Sequence, residues 1–599
     1  MSIVNTDKIS YAIGLIKDSF WNYRFKFVLT VILGFISGLF GGIGIGALIP
    51  LFSIITSKKN SETDIVSKII QKFFSIFHLP YNVFVLLAFI VLLFILKAIV
   101  TYFTYYTNQK IASDYEKETR SELFEATIKA DWPFLLEQKM GYLESILAQD
   151  INTGSRILTS INLLIMVATS IVMYAIIAFN ISATITAITL GIGLLLFFFL
   201  KPLFYRSRRL SFDASLVSKQ VSHHVSEHTL GAKTVKTMAV ENEVIENGNK
   251  YFEDLWRMRI KTDLYNRIPG TFLEPVSLLF ISMIFLFYYY YGSSFSIASF
   301  VAIVYLIQKE FNFMQSIQNN LNSINQGLPQ LKIVMDYKKT VSKHGEIDSG
   351  SKLFKFKEKL ELKNITFAYD TNNKILSDLN LILNKGEMVG LIGPSGAGKT
   401  TLADIMLGLF PAGSGEILLD GKDMSAIDRK SWRKNIGYVS QDTFLLNDTI
   451  ENNIRFYNNL LTKEDIIKVV KIANIYDFIE NQPDKFSTLV GERGVRLSGG
   501  QRQRVILARV LAKNPEILIL DEATSALDNE SELLIHEAIE KLKGKMTILV
   551  IAHRLSTIMN SDKLFVLENG KITEQGKPAE MLKDKDSYFY KVYNIIREK

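Results

Sequence analysis

Six long apolar runs occupy the first 340 of the 599 residues, and they restrict this chain more than any other feature. A helix needs about 20 apolar residues to cross the hydrocarbon core of a bilayer. Within that core every backbone N–H and C=O must find its partner inside the protein, which leaves helices or closed barrels. The runs lie at about 25–55, 82–107, 157–179, 182–205, 270–292 and 295–320. Their length and continuity predict six membrane-spanning helices, the last two joined by a tight Gly292-Ser293-Ser294 turn. Charged residues make up 21% of the chain, and cysteine is absent. Disorder, a collagen-like fibre and a disulfide-stapled scaffold are thereby excluded, as are thiolate metal sites and cysteine nucleophiles.

The net charge of +8 is unevenly placed: residues 1–340 carry +7 and residues 341–599 only +1. A basic excess in the apolar half fits basic cytoplasmic loops. Arg206, Arg208 and Arg209 follow the fourth run, and Lys110, Lys117 and Arg120 follow the second. These predict a cytoplasmic face, shared with Lys8, Lys17, Arg24 and Lys26 before the first run. Lys58, Lys59, Lys68 and Lys72, after the first run, break the rule. No basic patch has aromatic or motif support, so nucleic acid is not an expected partner.

Residues 7–22 read as an interfacial helix, with Trp21 and Tyr23 as headgroup anchors. The segments 108–156 and 206–269 are charged and read as helices extending the spans into the cytoplasm. Asp131-Trp132-Pro133-Phe134 and the stretch around Val240-Glu241-Asn242 are the expected tips.

A linker at 341–358, containing His344, Gly345, Ser349, Gly350 and Ser351, closes the membrane region (1–340). From 359 to 599 short strand-like runs alternate with helices, as in an α/β domain. The fold class is thus an α-helical membrane domain followed by an α/β P-loop NTPase domain. Met388–Ile392 reads as a strand leading into Gly393-Pro394-Ser395-Gly396-Ala397-Gly398-Lys399-Thr400-Thr401 and an apolar helix. This is the P-loop pattern in its required strand–helix context. Its backbone N–H groups suit phosphate oxygens, Lys399 the β- and γ-phosphates of ATP, and Thr400 a Mg²⁺ ion. A second apolar strand, Ile517–Leu520, ends in Asp521 and Glu522. Asp521 suits the Mg²⁺ shell, and Glu522 a general base for the attacking water.

Leu497-Ser498-Gly499-Gly500-Gln501 lies just upstream of that strand. Together with the P-loop and the Ile517–Glu522 strand, it resembles the nucleotide-binding domain of ABC transporters. The resemblance implies roles for further residues. Tyr369 is similar to the aromatic that stacks on adenine, and Gln441 to a glutamine near Mg²⁺ and the attacking water. Gly491–Gly494 resembles a short exporter motif, and Ser525-Ala526-Leu527-Asp528 the family's D-loop. His553 resembles the switch histidine that contacts the γ-phosphate. Six spans followed by this domain resemble an exporter-type half-transporter over the whole chain. The family works as a dimer in which Ser498–Gln501 completes the partner's ATP site. With every element intact, a homodimer is expected, the alternative being a heterodimer with a second half-transporter.

The cargo is less constrained. Lys97 and Lys309 each lie about 15 residues from the outer end of a run, roughly 22 Å deep. Cations at that depth are costly unless they face a cavity or a partner. They read either as a clamp for a phosphate or diphosphate headgroup, or as partners of Glu274 or Glu310 or snorkelling side chains. Ile65, Val66, Ile69, Ile70, Phe73, Phe74 and Phe77 form an apolar stripe at helical spacing. That helix either meets a lipid tail or packs on the ends of the spans. With Gly42–Phe52 and the Pro269–Glu274 stretch, these features resemble bacterial lipid-linked oligosaccharide flippases, although Gly270 stands where a basic residue is expected. A lipid A-type flippase fits equally. The resemblance implies an amphiphilic anionic lipid as substrate. The competing reading is a multidrug or peptide exporter, for which Tyr288–Tyr291, Phe311 and Phe313 would line an aromatic cavity. The chain shows no organellar targeting pattern, so a bacterial cytoplasmic membrane, rich in lipid partners, is the expected location.

Overall fold

The computed structural model describes residues 6–55, 65–138, 140–181, 183–291, 297–346, 350–369, 373–441, 443–522, 528–551 and 558–597. The chain divides into two compact units, one of Met1–Ala130 and Phe134–Gly345, the other of Asp131–Pro133 and Glu346–Lys599.

The first unit is helical. Its elements are α1 (Thr6–Phe20), α2 (Arg24–Gly46), α3 (Leu48–Ile55), α4 (Ile65–Ile76), α5 (Val83–Ile128), α6 (Trp132–Glu137), α7 (Met140–Ser145), α8 (Ile151–Ile181), α9 (Ala183–Leu230), α10 (Ala232–Met238), α11 (Glu241–Tyr291) and α12 (Ile297–Val341). Among the described residues four stretches are long and apolar enough to cross a membrane: Ile13–Phe52, Val83–Ile128, Tyr142–Asn180 and Glu241–Leu286. The runs at 182–205 and 295–320 fall largely in α9 (Ala183–Leu230) and α12 (Ile297–Val341), but each contains residues outside those described, so that set does not bear on them.

Glycines let α2 lie close to its neighbours, as small residues do in packed membrane helices. A Cβ on Gly34 would stand 2.4 Å from Thr169 Oγ1, and one on Gly42 2.1 Å from Ile177 Cδ1, both on α8. The helix expected at 7–22 is α1, followed by an exposed Trp21. Tyr23 departs from its predicted role as a headgroup anchor. It is buried, packs edge-on to Tyr115, and its hydroxyl donates to Glu118. The stripe at 65–77 forms α4, where Ile70 and Phe74 pack on Leu86 and Ile90 while Ile69, Phe73, Ile76 and Phe77 remain exposed. The first expected tip is divided: Trp132 lies against the hydrophobic core of the second unit, whereas Phe134 is buried in the first and stacks on His344 at 4.8 Å. The second follows a left-handed Ala239, with α11 starting at Glu241. The Gly292–Ser294 turn, Lys58 and Lys59 lie outside the described residues.

The second unit is built on two sheets. Strands β1 (Lys359–Ala368), β2 (Lys374–Asn384), β4 (Ser414–Leu419) and β5 (Lys422–Asp423) form an antiparallel sheet in the order β2-β1-β4-β5. The other sheet has the order β10-β9-β3-β8-β7-β6, from β3 (Met388–Ile392), β6 (Ile436–Val439), β7 (Ile517–Asp521), β8 (Thr547–Ile551), β9 (Lys563–Glu568) and β10 (Lys571–Gly576). All its pairs are parallel except β9 with β10. Every residue of β3, β7 and β8 is buried, which explains their unbroken apolar runs. Phe354 and Phe356, in the stretch read as linker, are buried in this core, with Phe354 edge-on to Trp432. The loops after β3 and β7 leave the carboxyl ends of two parallel strands that flank β8, where α/β sheets bind ligands.

Candidate nucleotide site and membrane-embedded charges

The P-loop leaves β3 and enters α13 (Lys399–Met406). Gly393 has φ +155°, and a Cβ there would fall 2.0 Å from Leu567 O, so no side chain fits. Gly396 and Gly398 take φ of +80° and +102°, values that favour glycine. The loop closes on its own lysine: Lys399 Nζ donates to Gly393 O at 2.8 Å and Pro394 O at 2.9 Å. Burial lowers the Lys399 pKa, and Glu522 and Asp521 oppose that shift. Next to it, the Tyr369 and Thr401 hydroxyls are 3.0 Å apart. The half-exposed Tyr369 ring stands edge-on to Phe367 and Phe410, at 5.0 and 5.3 Å. That aromatic wall offers an open face for a flat base.

Asp521 ends β7 in a buried position. Burial raises its pKa, against hydrogen bonds from Thr400 and from Tyr438, whose hydroxyl donates to Oδ2 at 3.2 Å. Its Oδ1 has no hydrogen-bond partner among the described residues. An orphaned carboxylate oxygen beside a threonine hydroxyl is a hard-oxygen donor set, which suits Mg²⁺. Glu522 follows with φ +50°, its N–H donating to Ile551 O at 2.9 Å. A non-glycine residue held in that region is rare, and such strain gathers at functional sites. Gln441 lies exposed just beyond β6.

A second group forms around the helix Gly499–Leu511. Ser498 caps it in a reciprocal box: its Oγ accepts from Gln501 N–H at 3.3 Å, and its own N–H donates to Gln501 Oε1 at 2.9 Å. A Cβ on Gly500 would meet Ser531 Oγ at 2.1 Å. Ser531 N–H in turn donates to Asp528, which caps the helix Asn529–Leu542. Gly500 and Asp528 are thus organised through Ser531, while Tyr369, the loop 393–401, Asp521 and Glu522 form the first group. His553 and Ser525–Leu527 lie outside the described residues.

In the first unit Lys97 Nζ donates to Tyr174 Oη at 2.8 Å and lies 5.7 Å from the Phe94 ring centroid. A Cβ on Gly41 would stand 2.7 Å from this ammonium, so α2 makes room for it. The Lys309 ammonium lies over the Tyr305 ring, 5.5 Å from its centroid. Neither lysine forms an ion pair with Glu310 among the described residues. The Glu274 side chain is not among those described.

Two family descriptions match, ABC transporter transmembrane region over residues 27–314 and ABC transporter over 376–525. YgaD of Bacillus subtilis (strain 168), named for multidrug export as an ATP-binding/permease protein, is 32% identical over 86% of this chain and 89% of its own length. This chain belongs to the ABC transporters. An ATP-dependent lipid A-core flippase of Syntrophus aciditrophicus (strain SB) is 31% identical, with 84% of each chain covered. A bacterial Atm1-family ABC exporter solved with ATP bound shares the fold, with TM-score 0.77 at 22% identity over 96% of this chain and 99% of that one. The transporter is therefore an exporter-type half-transporter and an integral membrane protein, with an ATPase domain that binds ATP and couples its hydrolysis to transport. Sequence reasoning passed over Tyr438 and Ser531, which hold Asp521 and Gly500 in the ABC site. Tyr438 lies three residues before Gln441 on a strand; nothing local marked Ser531.

Proposed function

We propose that this exporter moves an amphiphilic anionic lipid, of the lipid-linked oligosaccharide or lipid A class, across a bacterial cytoplasmic membrane by alternating access. The observation that carries the cargo reading is Lys97: an ammonium deep in an apolar run, held by one tyrosine hydroxyl and given space by Gly41. A cation in that setting is retained for a function, and a phosphate oxygen is its natural guest. Lys309, at a matching depth on α12, is its second half, and Glu274 on α11 belongs to the same site in this reading. The flippase relative supports the same class.

In this reading six spans cross the membrane within residues 1–340, residues 341–358 link, and residues 359–599 hydrolyse ATP. Tyr369 stacks on adenine. Lys399 and the N–H groups of 393–401 hold the phosphates. Asp521, Thr400 and Gln441 hold Mg²⁺, which neutralises phosphate charge when bound. Glu522 draws the proton from the attacking water, and His553 contacts the γ-phosphate. Ser498, Gly499, Gly500, Gln501 and Asp528 complete the site of a second copy in a homodimer. The decisive test is ATP hydrolysis in lipid nanodiscs titrated with a polyprenyl-diphosphate glycolipid. Saturable stimulation, lost in Lys97→Ala with Lys309→Ala, is the expected result. Stimulation by hydrophobic drugs or peptides alone contradicts the lipid reading and supports the multidrug one.

A further inference from the structure

The carbonyls at the C-terminal end of α13 are held by one neighbouring helix, α14 (Arg429–Asn435). Trp432, fully buried, donates from Nε1 to Met406 O at 2.8 Å. Arg433 donates from Nε to Leu407 O at 3.3 Å and from Nη2 to Gly408 O at 2.9 Å. The last carbonyls of a helix lack partners inside it, and a guanidinium there also meets the negative end of the helix dipole. Lys399 and Thr400 open the same helix, whose eight residues end at Met406. The P-loop helix is therefore gripped at the end opposite its phosphate-facing residues.

The grip is itself anchored. Arg433 forks onto the Glu346 carboxylate, Nη1 donating to Oε2 at 2.9 Å and Nη2 to Oε1, and Arg429 pairs with Oε1 at 3.2 Å. Glu346 stands where the chain enters the second unit, five positions after α12 ends at Val341. The segment that follows is tied to α14 and the turn before it. Lys352 N–H donates to Ala426 O at 3.1 Å, Asp428 N–H to Lys352 O at 2.8 Å, and Phe354 N–H to Ser431 Oγ at 2.9 Å. Lys513, just past the helix Gly499–Leu511, holds the other end of α14, donating to Arg433 O at 2.9 Å and Ile436 O at 3.2 Å.

We propose that Arg433 is a positioning residue for ATP, acting through α13, and that Glu346 fixes Arg433. The phosphate-binding helix is then held in register by the segment through which the chain enters the ATPase domain. The inference rests on the assignment of Lys399 and Thr400 to the phosphates and Mg²⁺, and not on the cargo.

The test is ATP hydrolysis by the full-length protein in phosphatidylcholine nanodiscs, with ATP varied in excess Mg²⁺ and the melting temperature read in parallel. Glu346→Ala is expected to raise KM for ATP about fivefold with kcat within about twofold, as a loss of preorganised binding does. Arg433→Lys keeps the charge but cannot serve two carbonyls and both carboxylate oxygens together, and raises KM at least as far. The double variant should match Arg433→Lys alone, because Glu346 acts through Arg433. Glu346→Asp, which keeps the charge, recovers part of the loss. An unchanged KM in Glu346→Ala, with or without a lower melting temperature, overturns the inference and leaves Glu346 a local anchor of the fold. Lys399→Ala tests the assignment beneath it: undiminished binding of a fluorescent ATP analogue in that variant overturns both.

Discussion

The two halves of this transporter hold their function in different ways. In the soluble half, function lies in backbone geometry at fixed spacing. Gly393 is glycine because Leu567 O leaves no room for a side chain, and Ser498 and Gln501 cap one helix reciprocally. Such constraints are local, so a short motif reports them. In the membrane half, function lies in side chains brought together from distant helices. Lys97 and Tyr174 stand 77 residues apart along the chain, yet Nζ meets Oη at 2.8 Å, and no motif joins them. A site built from local geometry tolerates little change at any position. A site built from packing tolerates change in proportion to how far neighbouring helices can shift.

This contrast predicts a ranking of effects. The largest belong to the soluble half. Glu522→Gln is expected to lower steady-state ATP hydrolysis at least about 100-fold while ATP stays bound. Substantial turnover in that variant would remove Glu522 from the central role and weaken the distinction between the halves. Next is Gly500→Ala, whose Cβ would strike Ser531 Oγ at 2.1 Å. A cost of ~1.4 kcal/mol predicts about a tenfold loss of hydrolysis. Binding of a fluorescent ATP analogue to Lys399 and Tyr369 should change little, which separates the two groups of the site.

The membrane half should show the opposite pattern. Gly41→Ala places a methyl group where Lys97 and Tyr174 meet, at an expected cost of about 1–3 kcal/mol. Lipid-stimulated hydrolysis is expected to fall, with basal hydrolysis within about twofold of wild type. An equal loss of both rates would mean that packing around Gly41 governs the ATPase itself.

The smallest effect is a titration. Burial, with Asp521 second, raises the Asp404 carboxyl from 3.8 to about 6. The folded state therefore keeps a proton that the unfolded chain releases. That stabilisation is complete below about pH 4 and is lost as pH rises through about 6. Asp404→Asn removes the titration. Its gain in unfolding free energy over wild type, measured in EDTA without nucleotide, should be near zero at pH 4 and reach on the order of 1 kcal/mol at pH 7. A constant difference across that range would place Asp404 in a solvated setting.

Legibility in the sequence followed the same division. β3 and β7 were readable because a buried parallel strand is a continuous apolar run. The helices of the membrane half were readable from apolar length, but their partners were not. Tyr23 was expected at the lipid surface because aromatic residues gather there, yet a hydroxyl partner on α5 holds it inside. Ser531 carried no signal, since its importance comes from Gly500, which lies 31 residues earlier.

The most direct measurement is lipid movement itself. Proteoliposomes carrying a fluorescent polyprenyl-diphosphate glycolipid would be followed by quenching from the outer face. ATP should change the quenchable fraction with wild-type protein, not with Glu522→Gln, and weakly with Lys97→Ala. Movement at the same rate in Glu522→Gln, or none in wild type under conditions where hydrophobic drugs or peptides are transported, would contradict ATP-driven flipping of an anionic lipid.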